Sequence, residues 1–111
     1  QRSAEVNKQR SDGWTALMYA AGNARERGVE LLLQRGAEVN LQDSMGRTAL
    51  MIAAGSGLER AVELLLQCGV EVNLQECVGG TALMHAAGNN HPAVVLRLLR
   101  AGADAAARTN T

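Results

Sequence analysis

The sequence predicts an all-α solenoid: short helix-turn-helix units stacked in a row and joined by β-turn or hairpin connections, about three full units plus part of a preceding one. Three observations lead there. Thr15-Ala16-Leu17-Met18 returns as Thr48-Ala49-Leu50-Met51 and Thr81-Ala82-Leu83-Met84, at intervals of 33 residues. Ala20-Ala21-Gly22 returns in the same register as Ala53-Ala54-Gly55 and Ala86-Ala87-Gly88. Gly36-Ala37-Glu38-Val39-Asn40 becomes Gly69-Val70-Glu71-Val72-Asn73 and then Gly102-Ala103-Asp104-Ala105-Ala106.

The elements of one unit follow from residue spacing. Ala16, Leu17, Ala20 and Ala21 form one face of a short first helix, with Thr15 placed to cap its start. Gly22-Asn23 breaks that helix, and a second covers about residues 25–35, with Val29, Leu32 and Leu33 on one face. Arg27 with Glu30, and Arg60 with Glu63, are i, i+3 pairs suited to its solvent side. Gly36, Gly69 and Gly102 follow where a left-handed residue ends a helix. An extended link then leads to a tight turn near Ser44-Met45-Gly46. Residues 1–9 read as the tail of a preceding unit, 10–42, 43–75 and 76–108 as three full periods, and 109–111 as the start of another connection. Helices this short are marginal alone, so each unit must lean on its neighbours.

Composition agrees with close stacking and excludes several functions. Nineteen Ala, fifteen Leu and no Phe require a core of small and branched aliphatics. Eleven basic residues balance eleven acidic ones, which removes the electrostatic footprint of a nonspecific nucleic-acid binder and of a polybasic membrane binder. No apolar run approaches a membrane span, and residues 1–10 lack a signal-peptide pattern, so the chain reads as soluble. Two cysteines and no Asn-x-Ser/Thr acceptor favour a reducing interior, cytoplasmic or nuclear.

These repeats resemble the ankyrin repeat, a 33-residue unit of a turn and two antiparallel helices with the signature Gly-x-Thr-Pro-Leu-His, Ala-Ala, Leu-Leu and Gly-Ala-Asp-Val-Asn. Gly13-Trp14-Thr15-Ala16-Leu17-Met18 and its two counterparts carry the first motif, and the resemblance covers essentially all 111 residues. Ala16, Ala49 and Ala82 replace the family's Pro, and Met18, Met51 and Met84 its His, which implies some loss of rigidity. Gly28 stands where a branched apolar residue is expected, so the first full repeat is expected to be the softest. Pro92 falls in the first turn of a helix, where a missing N–H costs nothing.

The resemblance implies a non-catalytic scaffold that grips a protein or peptide on a concave surface of turn tips and first helices. The turn residues it points to are Ser11, Asp12 and Trp14, then Ser44, Met45 and Arg47, then Cys77, Val78 and Gly80, preceded by Gln9, Gln42 and Gln75. From the first helices and their ends come Tyr19, Asn23, Ile52, Ser56, His85 and Asn89. Trp14 and Tyr19, the only aromatics, suit binding hot spots. Equally, Trp14 can cover its turn and Tyr19 pack on a neighbouring helix. Met45, Val78 and Trp14 form an apolar strip along the tips, and Arg47 in its midst favours a carboxylate-bearing partner segment. Two other functions stay open: a structural spacer in a longer solenoid, and a small-ligand regulatory module for an attached domain.

Chemistry-bearing motifs are few. Cys68, Cys77, His85 and His91 lack metal-ligand spacing, and Cys77 is the thiol expected to be exposed. Gly55-Ser56-Gly57 lacks the third glycine of a dinucleotide fingerprint, no phosphate-binding loop occurs, and Gly79-Gly80-Thr81 reads as a structural turn. No cofactor is expected. Asn40 and Asn73 are expected to hydrogen-bond turn backbone, while the resemblance also implies possible targets of asparaginyl hydroxylation. Leu98 and Leu99, or Val94 and Val95, are expected to expose apolar area at one end, which favours end-to-end self-association.

Overall fold

The computed structural model describes residues 3–109. Seven helices follow in order: α1 (Ser3–Val6), α2 (Ala16–Gly22), α3 (Glu26–Gln34), α4 (Ala49–Gly55), α5 (Glu59–Leu66), α6 (Ala82–Gly88) and α7 (Pro92–Arg100). Among the described residues there is no strand. The helices pair as α2 with α3, α4 with α5 and α6 with α7, and the pairs stack so that α4 touches both α2 and α6 while α5 touches both α3 and α7. The stack measures 40 × 26 × 21 Å.

Each first helix begins the same way because its sequence does. Thr15 Oγ1 accepts from Met18 N at 3.2 Å, Thr48 Oγ1 from Met51 N at 3.2 Å and Thr81 Oγ1 from Met84 N at 3.3 Å. All three threonines are buried, so each cap satisfies a helix-start donor that water cannot reach. The second helices start without a side-chain cap, and α7 places Pro92 in its first turn. They span eight or nine residues, shorter than the eleven that the pattern suggests. Arg25, Leu58 and His91 instead sit in non-helical conformations before them. Gly36, at φ +90°, lets Ala37 N reach back to Leu32 O at 3.0 Å, the expected left-handed helix end.

The core is a single layer of Leu, Val, Met and Ala running the length of the stack. Burial is most complete in the middle pair, where Leu50, Met51, Ala53, Ala54, Ala61, Val62 and Leu65 are all inaccessible. The alanines explain the close approach of α4 to its neighbours. Met18 and Met51 fill core space, and their flexible thioethers need no polar partner there. In α3 the expected apolar face is only partly realised: Val29 is buried, while Leu32 and Leu33 are half-buried.

The expectation for the far end needs correction. Val94 and Leu98 are fully buried, because Leu98 stands in the register of Leu65 and points into the stack. The exposed apolar residues there are Leu96 and Leu99, beside half-buried Val95, around an open hollow of about 350 Å³.

Gly28 is a separate matter, since its backbone is not left-handed and an added Cβ would meet Ala20 Cβ at 3.5 Å and Arg25 Cβ at 3.6 Å, ordinary contact distances. Gly28→Ala is therefore expected to raise unfolding stability by about 1 kcal/mol. Urea denaturation followed by circular dichroism measures it; unchanged or lowered stability would show that α3 does not tolerate the methyl group.

Candidate functional site

The turn tips are built by repeated backbone bonds. Arg10 N donates to Trp14 O, Asp43 N to Arg47 O and Glu76 N to Gly80 O, each at 2.9 Å. Neighbouring tips are joined by Ser44 N to Asp12 O at 2.9 Å and Cys77 N to Met45 O at 2.8 Å. That join requires Gly13, whose φ is +86° and whose added Cβ would lie 2.7 Å from Asp43 Cα. A glutamine ladder reinforces the row. Gln9 Nε2 donates to Gly13 O and Gln42 O, Gln42 Nε2 to Gly46 O and Gln75 O, and Gln75 Nε2 to Gly79 O and Arg108 O. Gln42 and Gln75 are exposed at the surface, but their amide donors serve the stack. Asn40 Oδ1 accepts from Glu71 N at 2.9 Å and Asn73 Oδ1 from Asp104 N at 2.7 Å, so both asparagines hold the next repeat's backbone.

Two carboxylates that the sequence did not single out organise the site. Asp43 is buried, and its Oδ1 accepts from Met45 N at 2.9 Å and Arg47 N at 2.8 Å. Its Oδ2 accepts from Arg47 Nε at 2.9 Å and from the Trp14 indole Nε1 at 3.0 Å. Burial pushes the Asp43 carboxyl up, but the N–H groups of Arg47 and Met45 and the Arg47 guanidinium outweigh it, holding the carboxyl below its ordinary value. Glu76 takes the same place one repeat on. Its Oε1 accepts from Val78 N and Gly80 N, both at 2.9 Å. Against the cost of burial, these two donors and the nearby His85 leave its carboxyl lowered too. His85 Nε2 lies 3.3 Å from Glu76 Oε2, within electrostatic reach, but that nitrogen is buried and makes no hydrogen bond in this arrangement.

The aromatic residues are locked together. Trp14 and Tyr19 meet edge to face with ring centroids 4.8 Å apart. The Arg10 guanidinium covers Tyr19 at 4.9 Å and that of Arg47 covers Trp14 at 5.8 Å, giving a stack of four planar groups across two repeats. Arg10 is also paired with Asp12, whose Oδ1 accepts from Trp14 N at 3.0 Å.

Of the residues proposed from sequence, Trp14, Arg47, Ile52, Ser56, His85 and Asn89 line one open hollow of about 260 Å³, with Met51 and Gly55 completing it. Tyr19 adjoins it through Trp14. Met45 and Val78 are exposed over about half their surface on the tips, where Ser11, Ser44 and Cys77 are exposed as well. Asn23 is exposed at the end of α2. Gly80 is buried rather than exposed, because the Glu76 side chain folds over it, 3.0 Å from where a Cβ would stand. Cys68 is exposed, as is Cys77. A larger hollow, about 550 Å³, runs beside Cys68 along residues 37–41, and none of the residues expected to bind a partner lines it. The described residues hold no cluster of three or more His, Cys, Asp or Glu suited to a metal, and no helix long and apolar enough to cross a membrane.

Paired helices in a row, with tips linked by repeated turns and a lined surface beneath them, define a helical repeat solenoid. A family model described as "Ankyrin repeats (3 copies)" matches residues 2–43 and 24–109, and the chain belongs to the ankyrin-repeat family. Ankyrin repeats generally mediate protein–protein interactions and are typically non-catalytic. No curated protein matches the chain.

The carboxylates give a pH signature. Their folded-state pKa values lie below those of unfolded carboxyls, roughly 4, so their stabilisation is complete above that value and is lost as pH falls through the lower folded values. The denaturation midpoint is expected to drop between neutral pH and about pH 3, and to drop less in Asp43→Asn, which begins from a lower neutral-pH stability. Equal acid sensitivity of the two proteins would show that Asp43 carries none of the effect.

Proposed function

We propose that this chain is a non-catalytic binding module that holds an extended segment of a protein partner across its turn tips and first helices. One observation carries the reading: Trp14 is fixed before any partner arrives. Its indole N–H is bound to Asp43, its ring meets Tyr19 edge to face, and Arg47 covers its face. A large ring held in one rotamer loses little entropy on binding, which is why such residues act as anchors. Beside it Met45 and Val78 extend apolar surface along the tips, and Ile52 continues it toward the hollow. Ser11, Asp12, Ser44, Cys77, Asn23, Ser56, His85 and Asn89 supply the polar rim, and Gln42 and Gln75 offer their remaining acceptor oxygens. The two exposed thiols, Cys68 and Cys77, suit a reducing interior.

A partner peptide is expected to shift the emission of the single tryptophan and to slow hydrogen exchange in residues 9–19, 42–52 and 75–85. Trp14→Ala is expected to weaken that binding by about 2 kcal/mol or more, as for a buried aromatic anchor, while Leu31→Ser, on an exposed site of α3, leaves it unchanged. Calorimetry on both variants checks this. Binding that protects other segments and ignores Trp14 would contradict the reading.

A further inference from the structure

The chain is neutral overall, and around the turn tips two acids sit beneath the surface while a third, Asp12, stays exposed against Arg10. The Asp43 side chain is 1% exposed with four donors on its two oxygens, and Glu76 is 11% exposed with two backbone donors on one oxygen and His85 facing the other. Arg47 lies above them, its side chain 38% exposed, whereas Nε2 of His85 is buried beside Glu76. Arg47 commits only its Nε to Asp43, so among the described residues its two terminal nitrogens have no hydrogen-bond partner. Its guanidinium is nonetheless held in place, tethered to Asp43 at one end and laid over the Trp14 ring.

A guanidinium with one edge anchored and its terminal pair open is preorganised for a planar, two-oxygen acceptor. Arg47 lines one hollow together with Trp14, Ile52, Ser56, His85 and Asn89. Asn89 Nδ2 is bound to Gly55 O at 2.9 Å, and the Ser56 side chain is exposed at the rim. The walls are thus apolar on the Trp14 and Ile52 side and polar on the other. A dianion would sit poorly beside the buried Asp43 and the half-buried Glu76, whereas a single carboxylate charge matches the open guanidinium of Arg47.

We propose that this hollow is a carboxylate subsite that takes an Asp or Glu side chain from the partner's extended segment. Nη1 and Nη2 of Arg47 donate to the two carboxylate oxygens, and Trp14 and Ile52 pack against the methylenes. This rests on the binding-module reading and adds to it the chemistry of the partner.

The experiment selects peptides from a random linear library against the 111-residue chain, then resynthesises each in its acidic form and with Glu→Gln or Asp→Asn. Backbone amide shifts map where each binds. The expected result is a concave-face peptide whose amide form binds about tenfold or more weakly, as for loss of hydrogen bonds to a charged group. Arg47→Gln is expected to erase that difference while still binding the amide form. The variant keeps the residue-47 N–H and the Trp14 indole on Asp43, and its melting curve reports folding. Should it fail to fold, Arg47→Lys, which keeps charge but not the paired donors, is expected to shrink the difference. Peptides that map to Trp14, Ile52 and Ser56 but bind equally in both forms overturn the carboxylate subsite and leave the binding module standing. Peptides that map elsewhere, or a selection that yields none on this face, overturn both.

Discussion

Burial shared between adjacent repeats is the constraint from which the rest follows. Among the described residues no helix exceeds nine residues, and isolated helices shorter than ~12–15 residues are marginal in water. Their backbone order must come from the faces they bury against one another. The middle pair, with neighbours on both sides, hides nearly its whole apolar face, while the pair at the far end leaves Leu96 and Leu99 exposed. Alanine at the helix contacts allows the approach, and the glutamine and asparagine ladders hold each loop at the register set by the core.

The same register builds the candidate binding surface. Because every unit is offset by one period, the turn acid of one repeat falls beside the tip of the preceding one, and Asp43 reaches both Trp14 behind it and Arg47 within its own turn. A buried acid is costly unless saturated with donors, and Asp43 and Glu76 are supplied by backbone N–H groups that the tight turns present in any case. With Asp43 and Glu76 saturated in this way, Arg47 keeps its terminal nitrogens free, among the described residues, at the half-exposed surface. Surface character here arises from how the core is stacked, not from the chain's net charge.

Much of the fold was legible because the period is written in residues whose roles are local. Thr15, Thr48 and Thr81 cap where they stand, and Gly36 ends a helix by its own backbone. The site was legible in part. Trp14, Arg47, His85 and Asn89 could be placed on one face by counting, since equivalent positions of successive repeats lie side by side. The acids were hidden for the opposite reason. Position 10 carries Arg where 43 and 76 carry acids, so the pattern is broken in one of three repeats, and depth of burial is not written in residue type. Gly80 was misplaced because the longer side chain of Glu76 covers it. At the far helix, adjacent residues point about 100° apart, so the choice between Leu98 and Leu99 turns on a phase that only packing fixes.

Dependence on neighbours is tested most directly by taking them away. A peptide of residues 43–75 contains the best-buried pair, α4 and α5, with its own cap and turn intact. If stacking supplies the order, its far-ultraviolet circular dichroism will be that of a coil, whereas the 111-residue chain is helical and unfolds cooperatively. A peptide that is as helical per residue as the whole chain would contradict this, and would mean that each hairpin carries its own stability.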